Sequence, residues 1–277
     1  MSENKNILFV VNRTKLNAES IAMRLSKLAQ ESGYTPEICS KFPIDEKVFK
    51  EKSVCCVIGG DGTILSCVPH LVKYNLPVFG INLGKLGFLA TYNEGIADSE
   101  FLALLSGEAR FLNRALLQAK VNGNIYTALN DIVIKDSQSN GISSLRIFAD
   151  SEFIADYLGD GLIFSTPTGS TAYNLSAGGP IIHPKARAFV MTPICPHTLS
   201  NRSLIYDCGA LIKVRSAGGK MSLTIDGRES IELLCEDEIE ISMPAESLRF
   251  IRLGGHSHFS ILRNKLGWAE DPRHLKF

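Results

Sequence analysis

The sequence predicts a doubly wound α/β domain at the N-terminus, followed by an all-β domain built as a β-sandwich. Runs of consecutive apolar residues, such as Ile7–Val11, alternate with helical patterns before Phe111, and such runs are typical of strands covered on both faces. From about Phe111 the apolar residues recur at every second position, which is the period of strands with one buried face. A chain of 277 residues with 45% hydrophobic and 21% charged residues is large enough for two folded domains.

The first strand and helix form the first unit of this pattern. Asn6–Val11 is the first predicted strand. Asn17 is expected to cap the following helix, because its side chain can accept a hydrogen bond from an N–H group at a helix start. Gly33 is expected to end that helix in the left-handed conformation. The apolar stripe of the helix consists of Ile21, Leu25 and Leu28.

Three further elements extend the α/β pattern. Ser53–Ile58 and Pro77–Ile81 are predicted to be buried strands, and Gly62–Tyr74 between them a helix bent at Pro69. A short helix is expected over Asp98–Leu105, with the aspartate as its cap. The alternation of strands and helices predicts a parallel, Rossmann-like sheet.

Turn signals and alternation define the second domain. Asn122–Gly123 predicts a tight hairpin, and Gly218–Gly219 and Asp226–Gly227 predict further turns. Met221–Ile225 and Glu238–Met243 alternate apolar and polar residues. Strands and turns at this spacing are typical of a β-sandwich.

The final segment returns to a helical pattern over Ser257–Leu266. We therefore expect an α/β domain over residues 1–110, a β-sandwich over residues 111–254, and a C-terminal segment over residues 255–277 that packs back on the α/β domain.

Charge and composition exclude several classes of partner. The chain has 29 basic and 29 acidic residues, so it has no basic excess for a nucleic acid or an anionic membrane. Its apolar runs are far shorter than the roughly 20 residues that span a bilayer. Met1–Asn6 lacks the form of a signal peptide, and seven cysteines are an odd number. A soluble protein of the reducing cytoplasm is expected.

The segment Gly59–Thr63 lies where a predicted buried strand meets a helix. Backbone N–H groups and the helix dipole bind phosphates at such places, and glycines let a phosphate approach the main chain. Asp61 among phosphates would be repulsive unless it holds a divalent cation or accepts a proton from an attacking hydroxyl. Both uses indicate phosphoryl transfer. The alternative is that Asp61 only caps the helix.

A second segment, Gly159–Pro180, is rich in glycine and in small hydroxyl residues. It is expected to be a loop wrapped around a nucleoside, with Tyr173 as a stacking face. The alternative is a turn-rich crossover between strands. Asn130–Asp131 precedes a short strand, where it would either bind vicinal hydroxyls or form an Asx turn.

The cysteines and histidines of the sequence give only weak evidence for a nucleophile or a metal site. Pro193–His197 contains a cysteine and a histidine, but its two prolines indicate a rigid turn and argue against a nucleophile. His256 and His258 lack neighbours at a structural-zinc spacing. Cys55–Cys56 lies inside a buried strand and is expected to be inert packing.

Six segments together resemble bacterial NAD kinases, in the same order along nearly the whole chain. The run Thr166–Tyr173 with the later Ala177–Pro180 is specific, whereas lipid kinases of the diacylglycerol type share the Gly-Gly-Asp-Gly-Thr segment. The segments are Gly59–Thr63, Asn82–Leu89, Leu129–Asp131, Asp160–Pro180, Pro193–His197 and Lys265–Trp268.

The resemblance implies transfer of the terminal phosphoryl group of ATP, or of polyphosphate, to the 2′-hydroxyl of the adenosine ribose of NAD, which gives NADP. It implies Mg²⁺ or another divalent cation bound with ATP and no fixed metal site on the protein. It also implies a homo-oligomer, either a dimer or a tetramer.

By the same resemblance Asp61 is the proton acceptor. The residues that match ATP-phosphate positions are Gly59, Gly60, Gly62 and Thr63. The residues that match NAD-binding positions are Asp61, Gly62, Phe88, Asn130, Asp131, Asp160, Thr171, Ala172, Tyr173 and Ser176. Asp160 is expected to reach the nicotinamide end across a subunit boundary.

Two further NAD contacts are expected, from the backbone of Cys195 and from Arg228. The chain departs from the family at Arg228, where many relatives have Gln, and at Leu158–Gly159, where others often have Arg.

Two other functions compete with this interpretation. A lipid kinase with the same glycine segment would need an acyl slot and membrane contact, for which the sequence offers no basic amphipathic face. A dinucleotide-sensing module without turnover would bind NAD but form no NADP.

Overall fold

The computed structural model describes residues 5–84, 87–136, 143–197, 202–217, 220–254 and 257–267. The chain divides into two units, one of Met1–Leu112 with Arg249–Phe277 and the other of Asn113–Leu248. The predicted boundaries after residues 110 and 254 stay a proposal about functional domains. Within the described ranges, no helix combines the length and the apolar character that crossing a bilayer requires.

A mainly parallel sheet forms the centre of the first unit. Consecutive apolar residues form its inner strands because both faces are covered, and each inner strand is buried along nearly its whole length. The strands are β1 (Asn6–Val11), β2 (Thr35–Cys39), β3 (Val54–Gly59), β4 (Val78–Asn82), β5 (Tyr92–Asn93), β6 (Arg110–Ala115) and β19 (Ser247–Arg252). Their order in space is β2-β1-β3-β4-β19-β6, with β5 paired to β4. The α/β class predicted for this part of the chain is confirmed.

The strand order places a topological switch point between β1 and β3, because the chain moves to one side of β1 for β2 and to the other side for β3. Ligands of open α/β sheets bind outside the carboxyl ends of the strands at such a point. Gly59 ends β3 there, and Asp61 begins the next helix.

The α-helices in the described residues are α1 (Ala18–Glu31), α2 (Asp61–Lys73), α3 (Asp98–Ser106), α4 (Tyr173–Ser176) and α5 (His258–Leu266). Short 3-10 helices span Glu46–Phe49 and Gly169–Thr171. Pro69 lies inside α2, and Gly33 has the expected positive φ after α1.

One predicted helix cap lacks its side-chain hydrogen bond, and the other is wrong. Asn17 is at the N-cap of α1, but it adopts the left-handed conformation and its side chain makes no capping hydrogen bond. Asp98 is the first residue of α3 rather than its cap, and its carboxylate instead bonds the Arg24 guanidinium. In that position an acidic residue still favours the helix through the helix dipole.

Two antiparallel sheets form the second unit. Their order in space is β11-β10-β15-β18-β7-β8 for one sheet and β14-β13-β12-β9-β16-β17 for the other. The strands are β7 (Leu117–Val121), β8 (Asn124–Ala128), β9 (Asp131–Asp136), β10 (Ser143–Ala149), β11 (Glu152–Gly159), β12 (Gly161–Ser165), β13 (Ala188–Ile194), β14 (Leu204–Asp207), β15 (Ile212–Ser216), β16 (Met221–Ile225), β17 (Glu229–Leu233) and β18 (Glu238–Ser242). Inward-facing residues of both sheets make one apolar core, as a sandwich requires.

Two of the predicted turns of this unit, Asn122–Gly123 and Asp226–Gly227, are present in the structure. Asn122–Gly123 joins β7 to β8, and Asp226–Gly227 joins β16 to β17, each pair with positive φ at both residues. Gly218–Gly219 lies outside the described residues, as do His256 and Trp268.

One loop prediction is partly wrong. The segment Gly159–Pro180 begins at the last residue of β11 and contains β12, a fully buried strand between β13 and β9. The glycines at the start of β12 and the hydroxyl residues from Ser165 onward obscured its short apolar run in the sequence. Only the part after β12, with its two short helices, is the compact loop that the sequence predicts.

Candidate functional site

The turn from β3 into α2 carries the first group of candidate residues. Gly60 is the N-cap of α2, and a Cβ added there would meet only the Asn82 amide oxygen, 4.0 Å away. At Gly59 an added Cβ would lie 2.5 Å from the Thr63 hydroxyl oxygen. Gly59 is thus required by packing, whereas the backbone at Gly60 is open to a ligand.

Thr63 is buried and closes the start of α2. Its hydroxyl oxygen accepts hydrogen bonds from the Gly60 N–H group and from the Asn12 side-chain amide, both at 3.4 Å. Asn12 follows β1, so this contact joins the two strand ends at the switch point. The role of Thr63 in binding ATP phosphate stays a prediction.

The Asp61 carboxylate is fixed by backbone donors of a separate loop. Its Oδ2 accepts a hydrogen bond from the Phe88 N–H group at 2.8 Å, and its Oδ1 accepts from Leu89 at 3.1 Å and from Ala90 at 2.9 Å. Asp61 therefore does not cap its own helix. A carboxylate offers about four lone-pair sites, so among the described residues Oδ2 keeps one for a further donor.

The loop that holds Asp61 has no space for a side chain at Gly87. A Cβ added there would lie 2.0 Å from the Asp61 Oδ1 atom. The next residue, Phe88, is half-buried, and the Lys265 ammonium lies 4.8 Å from its ring centroid. Residues of two sequence segments that resemble NAD kinases are thus in contact within the first unit.

In the second unit, Asp226 organises the Asn130–Asp131 turn. Its Oδ2 accepts from the Leu129 N–H group at 2.9 Å, and its Oδ1 accepts from the N–H groups of Asn130 at 2.7 Å and Asp131 at 3.1 Å. The Asp226 N–H group in turn donates to the Asp131 carbonyl at 2.9 Å. The sequence identified Asp226 only as a turn residue; its position before Gly227 was the one signal available.

Both carboxyl groups of this turn have a raised pKa. Burial, and then the charge of Asp226, raise the pKa of Asp131 to about 7. Burial also raises the pKa of Asp226, although its three backbone hydrogen bonds act in the opposite direction. Carboxyl groups whose pKa is strongly perturbed are common at functional sites.

The segment after β12 packs against the same turn. The Thr166 hydroxyl donates to the Leu129 carbonyl at 2.6 Å, and a Cβ added at Gly169 would lie 2.0 Å from the Asn130 carbonyl oxygen. Asn174 is buried, and its amide nitrogen donates to the carbonyls of Ser170 and Pro180. These contacts fix the short helices that carry Thr171 to Ser176.

A cavity of about 370 Å³ opens where the turn and this segment meet. Four of its lining residues were predicted from the sequence to bind NAD: Asn130, Asp131, Ala172 and Tyr173. Three further polar lining residues were not predicted: Lys135, Thr224 and Asp226. The remaining lining residues are Val133 and Gly227. The volume and the mixture of apolar and polar groups suit a small organic ligand.

Comparisons with known proteins identify the family of this chain. The model of the ATP-NAD kinase N-terminal domain matches residues 46–109, and that of the ATP-NAD kinase C-terminal domain matches residues 129–253. An NAD kinase of Lachnoclostridium phytofermentans is 36% identical over 282 aligned residues, which cover 95% of this chain and 99% of the relative. The chain belongs to the NAD kinase family.

The solved structures of one NADH kinase and one NAD kinase share the fold of this chain. The crystal structure of yeast NADH kinase complexed with NADH has a TM-score of 0.86 at 25% identity, covering 98% of this chain and 90% of its own. The crystal structure of an NAD kinase from Archaeoglobus fulgidus in complex with ATP has a TM-score of 0.78 at 21% identity. The match covers 95% of this chain and 96% of the Archaeoglobus chain. The predicted order of an α/β domain and a β-sandwich is confirmed.

Five residues of the second unit that are expected to bind the dinucleotide in an NAD kinase lie outside the cavity lining. Two of them, Asp160 and Cys195, are exposed. A hydrogen bond between their side chains raises the pKa of the Cys195 thiol. The raised pKa agrees with the prediction that Cys195 is not a nucleophile. The other three are Thr171, Ser176 and Arg228. The binding roles of all five stay predictions.

The adjacent cysteines of β3 are buried, as the sequence predicted. Cys55 and Cys56 are buried in β3, and burial raises the pKa of both thiols, which confirms the prediction of inert packing. Among the described residues no three His, Cys, Asp or Glu side chains group as a metal site.

The raised pKa of Asp131 predicts how stability depends on pH. The folded protein holds this proton up to about pH 7, whereas an unfolded aspartate releases it near its ordinary pKa of 3.8. The folded state therefore binds more protons in this window, so the free energy of unfolding falls as pH rises through it. Asp131→Asn should remove the contribution of Asp131 to this fall, which is at most about 4 kcal/mol at about 1.4 kcal/mol per pKa unit. The fall due to Asp226, whose pKa is also raised, should persist.

The free energy of unfolding of wild type and Asp131→Asn is measured by urea unfolding at several pH values between about 4 and 7, the two pKa values of Asp131. The exposed carboxyl of Glu152 provides the control, since Glu152→Gln should retain the wild-type slope. Parallel curves for wild type and Asp131→Asn would show that burial does not perturb Asp131.

Proposed function

We propose that this protein transfers the terminal phosphoryl group of ATP to the 2′-hydroxyl of the adenosine ribose of NAD, forming NADP. The observation that carries the proposal is the fixed carboxylate of Asp61 at the switch point of a chain that belongs to the NAD kinase family. The yeast relative crystallised with NADH and the Archaeoglobus relative crystallised with ATP support the two substrate classes.

Asp61 accepts the proton of the attacking hydroxyl in this proposal. A ribose hydroxyl is a weak nucleophile near neutral pH, so a carboxylate within hydrogen-bond reach contributes about 10²- to 10⁴-fold to the rate. The three N–H donors of Phe88, Leu89 and Ala90 hold the carboxylate in place, and Oδ2 keeps a lone pair for the hydroxyl. Positioning of this kind supplies most of the acceleration in phosphoryl transfer.

The open backbone at Gly60 and the first turn of α2 are proposed to bind the ATP phosphates. N–H groups at a helix start attract anions. Mg²⁺ is expected to arrive bound to the phosphate oxygens, because it commonly uses substrate phosphates with few protein ligands. When bound, it neutralises charge on the transferred group.

The cavity of the second unit is proposed to bind NAD. The Asn130 amide and the Asp131 carboxyl can hold sugar hydroxyls, and the Tyr173 ring offers an aromatic surface at the rim, with 36% of the residue exposed. Asp160, Ser176, Arg228 and the backbone of Cys195 are proposed as further contacts, with Asp160 acting across a subunit boundary of a dimer or tetramer. A cytoplasmic location remains a prediction.

The competing functions make different predictions. A lipid kinase is not favoured, because the matches along the chain are to NAD kinases. A dinucleotide-sensing module would bind NAD without turnover.

An assay of NADP formation with purified protein, Mg²⁺ and NAD tests the proposal. We expect NADP with ATP, and a parallel reaction with polyphosphate determines whether that donor is accepted. The specific outcome against the proposal is NAD binding, seen as a thermal shift, with no NADP from either donor. A thermal shift with dispersed diacylglycerol and none with NAD would favour the lipid kinase.

A further inference from the structure

Strand β9 presents two chemically different faces. Ile132 and Ile134 are fully buried in the core of the sandwich. Asp131, Val133 and Lys135 alternate with them, and all three line the cavity. Because side chains of a strand alternate between faces, one strand thus gives the cavity wall an acid, an apolar residue and a cation in sequence.

Polar groups of opposite character lie at the two ends of this wall. Asn130, Asp131 and Asp226 gather at its start, where they suit hydroxyl groups. Lys135 lies four residues after Asp131 on β9, so the Cα atoms of Asp131 and Lys135 are about 13 Å apart in an extended strand. A ligand that matches the wall therefore carries hydroxyls at one end and an anionic group farther along.

Lys135 is held in place by its strand neighbours and by Tyr173. Its backbone pairs with Gly161 on one neighbouring strand and with Ser222 on the other. Its ammonium donates to the Tyr173 hydroxyl at 2.8 Å and lies 4.8 Å from the centroid of that ring.

The ammonium has donors to spare for a ligand. An ammonium has three N–H donors, and among the described residues the bond to Tyr173 is the hydrogen bond that Lys135 makes through its side chain. A donor beside an aromatic ring at a cavity rim can bind the phosphate of a nucleotide whose base or sugar contacts the same cavity.

We propose that Lys135 binds the pyrophosphate of the dinucleotide and thereby sets the position of NAD along β9. The inference rests on the proposed function, because it takes NAD as the ligand of this cavity. Lys135 is a binding residue in this account and does not touch the reacting hydroxyl. Its loss should therefore raise the KM for NAD and change kcat little, which is the signature of uniform binding.

Ligands with and without a phosphate test this assignment directly. Calorimetry would measure binding of adenosine, AMP, ADP-ribose and NAD to wild type and to Lys135→Met. We expect about tenfold to hundredfold weaker binding of AMP, ADP-ribose and NAD, the range for a hydrogen bond to a charged group. Binding of adenosine should change less than about threefold, within the usual context dependence of such effects.

Two further variants separate binding by Lys135 from support of Tyr173. Lys135→Arg keeps the charge and should retain most of the affinity for AMP. Tyr173→Phe removes the hydroxyl that Lys135 contacts but keeps the ring, so the difference between AMP and adenosine should persist. Higher salt should weaken AMP binding to wild type more than to Lys135→Met.

Equal losses for adenosine and AMP in Lys135→Met would overturn the inference and assign Lys135 to the support of Tyr173. Unchanged binding of all four ligands would overturn it as well. Neither result contradicts NADP formation by wild type. Conversely, a wild type that binds AMP and ADP-ribose in the predicted way but forms no NADP would contradict the proposed function alone.

Discussion

Asp61→Asn should lower the turnover of NADP formation by about 10²- to 10⁴-fold, the contribution of a general base, and leave the fold intact. The amide oxygen of the substituted side chain can still accept the N–H groups of Leu89 and Ala90, which both bond Oδ1 in the wild type. Its amide nitrogen would face the Phe88 N–H group, and one unmet donor costs about 1–3 kcal/mol. The turnover number at saturating ATP and NAD is the quantity to measure.

Thermal unfolding and NAD binding provide the controls for this variant. We expect a modest decrease in melting temperature and an affinity for NAD within an order of magnitude of wild type. An unchanged turnover number would remove Asp61 from the mechanism. A loss of activity that only parallels a loss of folded protein would leave the carboxylate with a structural role, contrary to the account.

Gly87→Ala should inactivate the enzyme without removing any functional group. The added methyl would lie 2.0 Å from the Asp61 Oδ1 atom, so either the carboxylate or the loop must move. A displacement of about 1 Å at a catalytic group can cost about 10²-fold in rate. We expect a loss of that size in kcat, measured in the same assay.

Gly84→Ala is the matched control, because it changes a glycine of the same loop region where an added Cβ meets nothing within 4 Å. It should retain wild-type turnover. Equal activity of Gly87→Ala and Gly84→Ala would show that the contact between the loop and Asp61 does not position the carboxylate for the reaction.

The sequence predicted the elements whose signal is local. Strands β1, β3 and β4 are buried on consecutive residues, and their apolar runs are visible without any tertiary information. Strand β2 was missed because it is a short, mostly exposed strand that contains Pro36. Strand β19 alternates like a sandwich strand, and its parallel pairing with β4 joins residues far apart in sequence.

The site was predicted in the same uneven way. Asp61, Asn130, Asp131 and Tyr173 belong to compact sequence motifs and were identified as candidates. Asp226 and Lys135 act through contacts with residues about 95 and 38 positions away. The local sequence marks Asp226 only as a turn residue and does not mark Lys135. Gly87 similarly gains its importance only from the distant carboxylate that it approaches.

A crystal structure of the protein with bound NAD would give the decisive distance, that between the Asp61 carboxylate and the 2′-oxygen of the adenosine ribose. We expect a separation of about 2.6–3.2 Å, the reach of a general base, with Oδ2 as the nearer oxygen. An NAD molecule whose adenosine ribose lies beyond the reach of Asp61, with the carboxylate still bound only to the Phe88–Ala90 backbone, would contradict it.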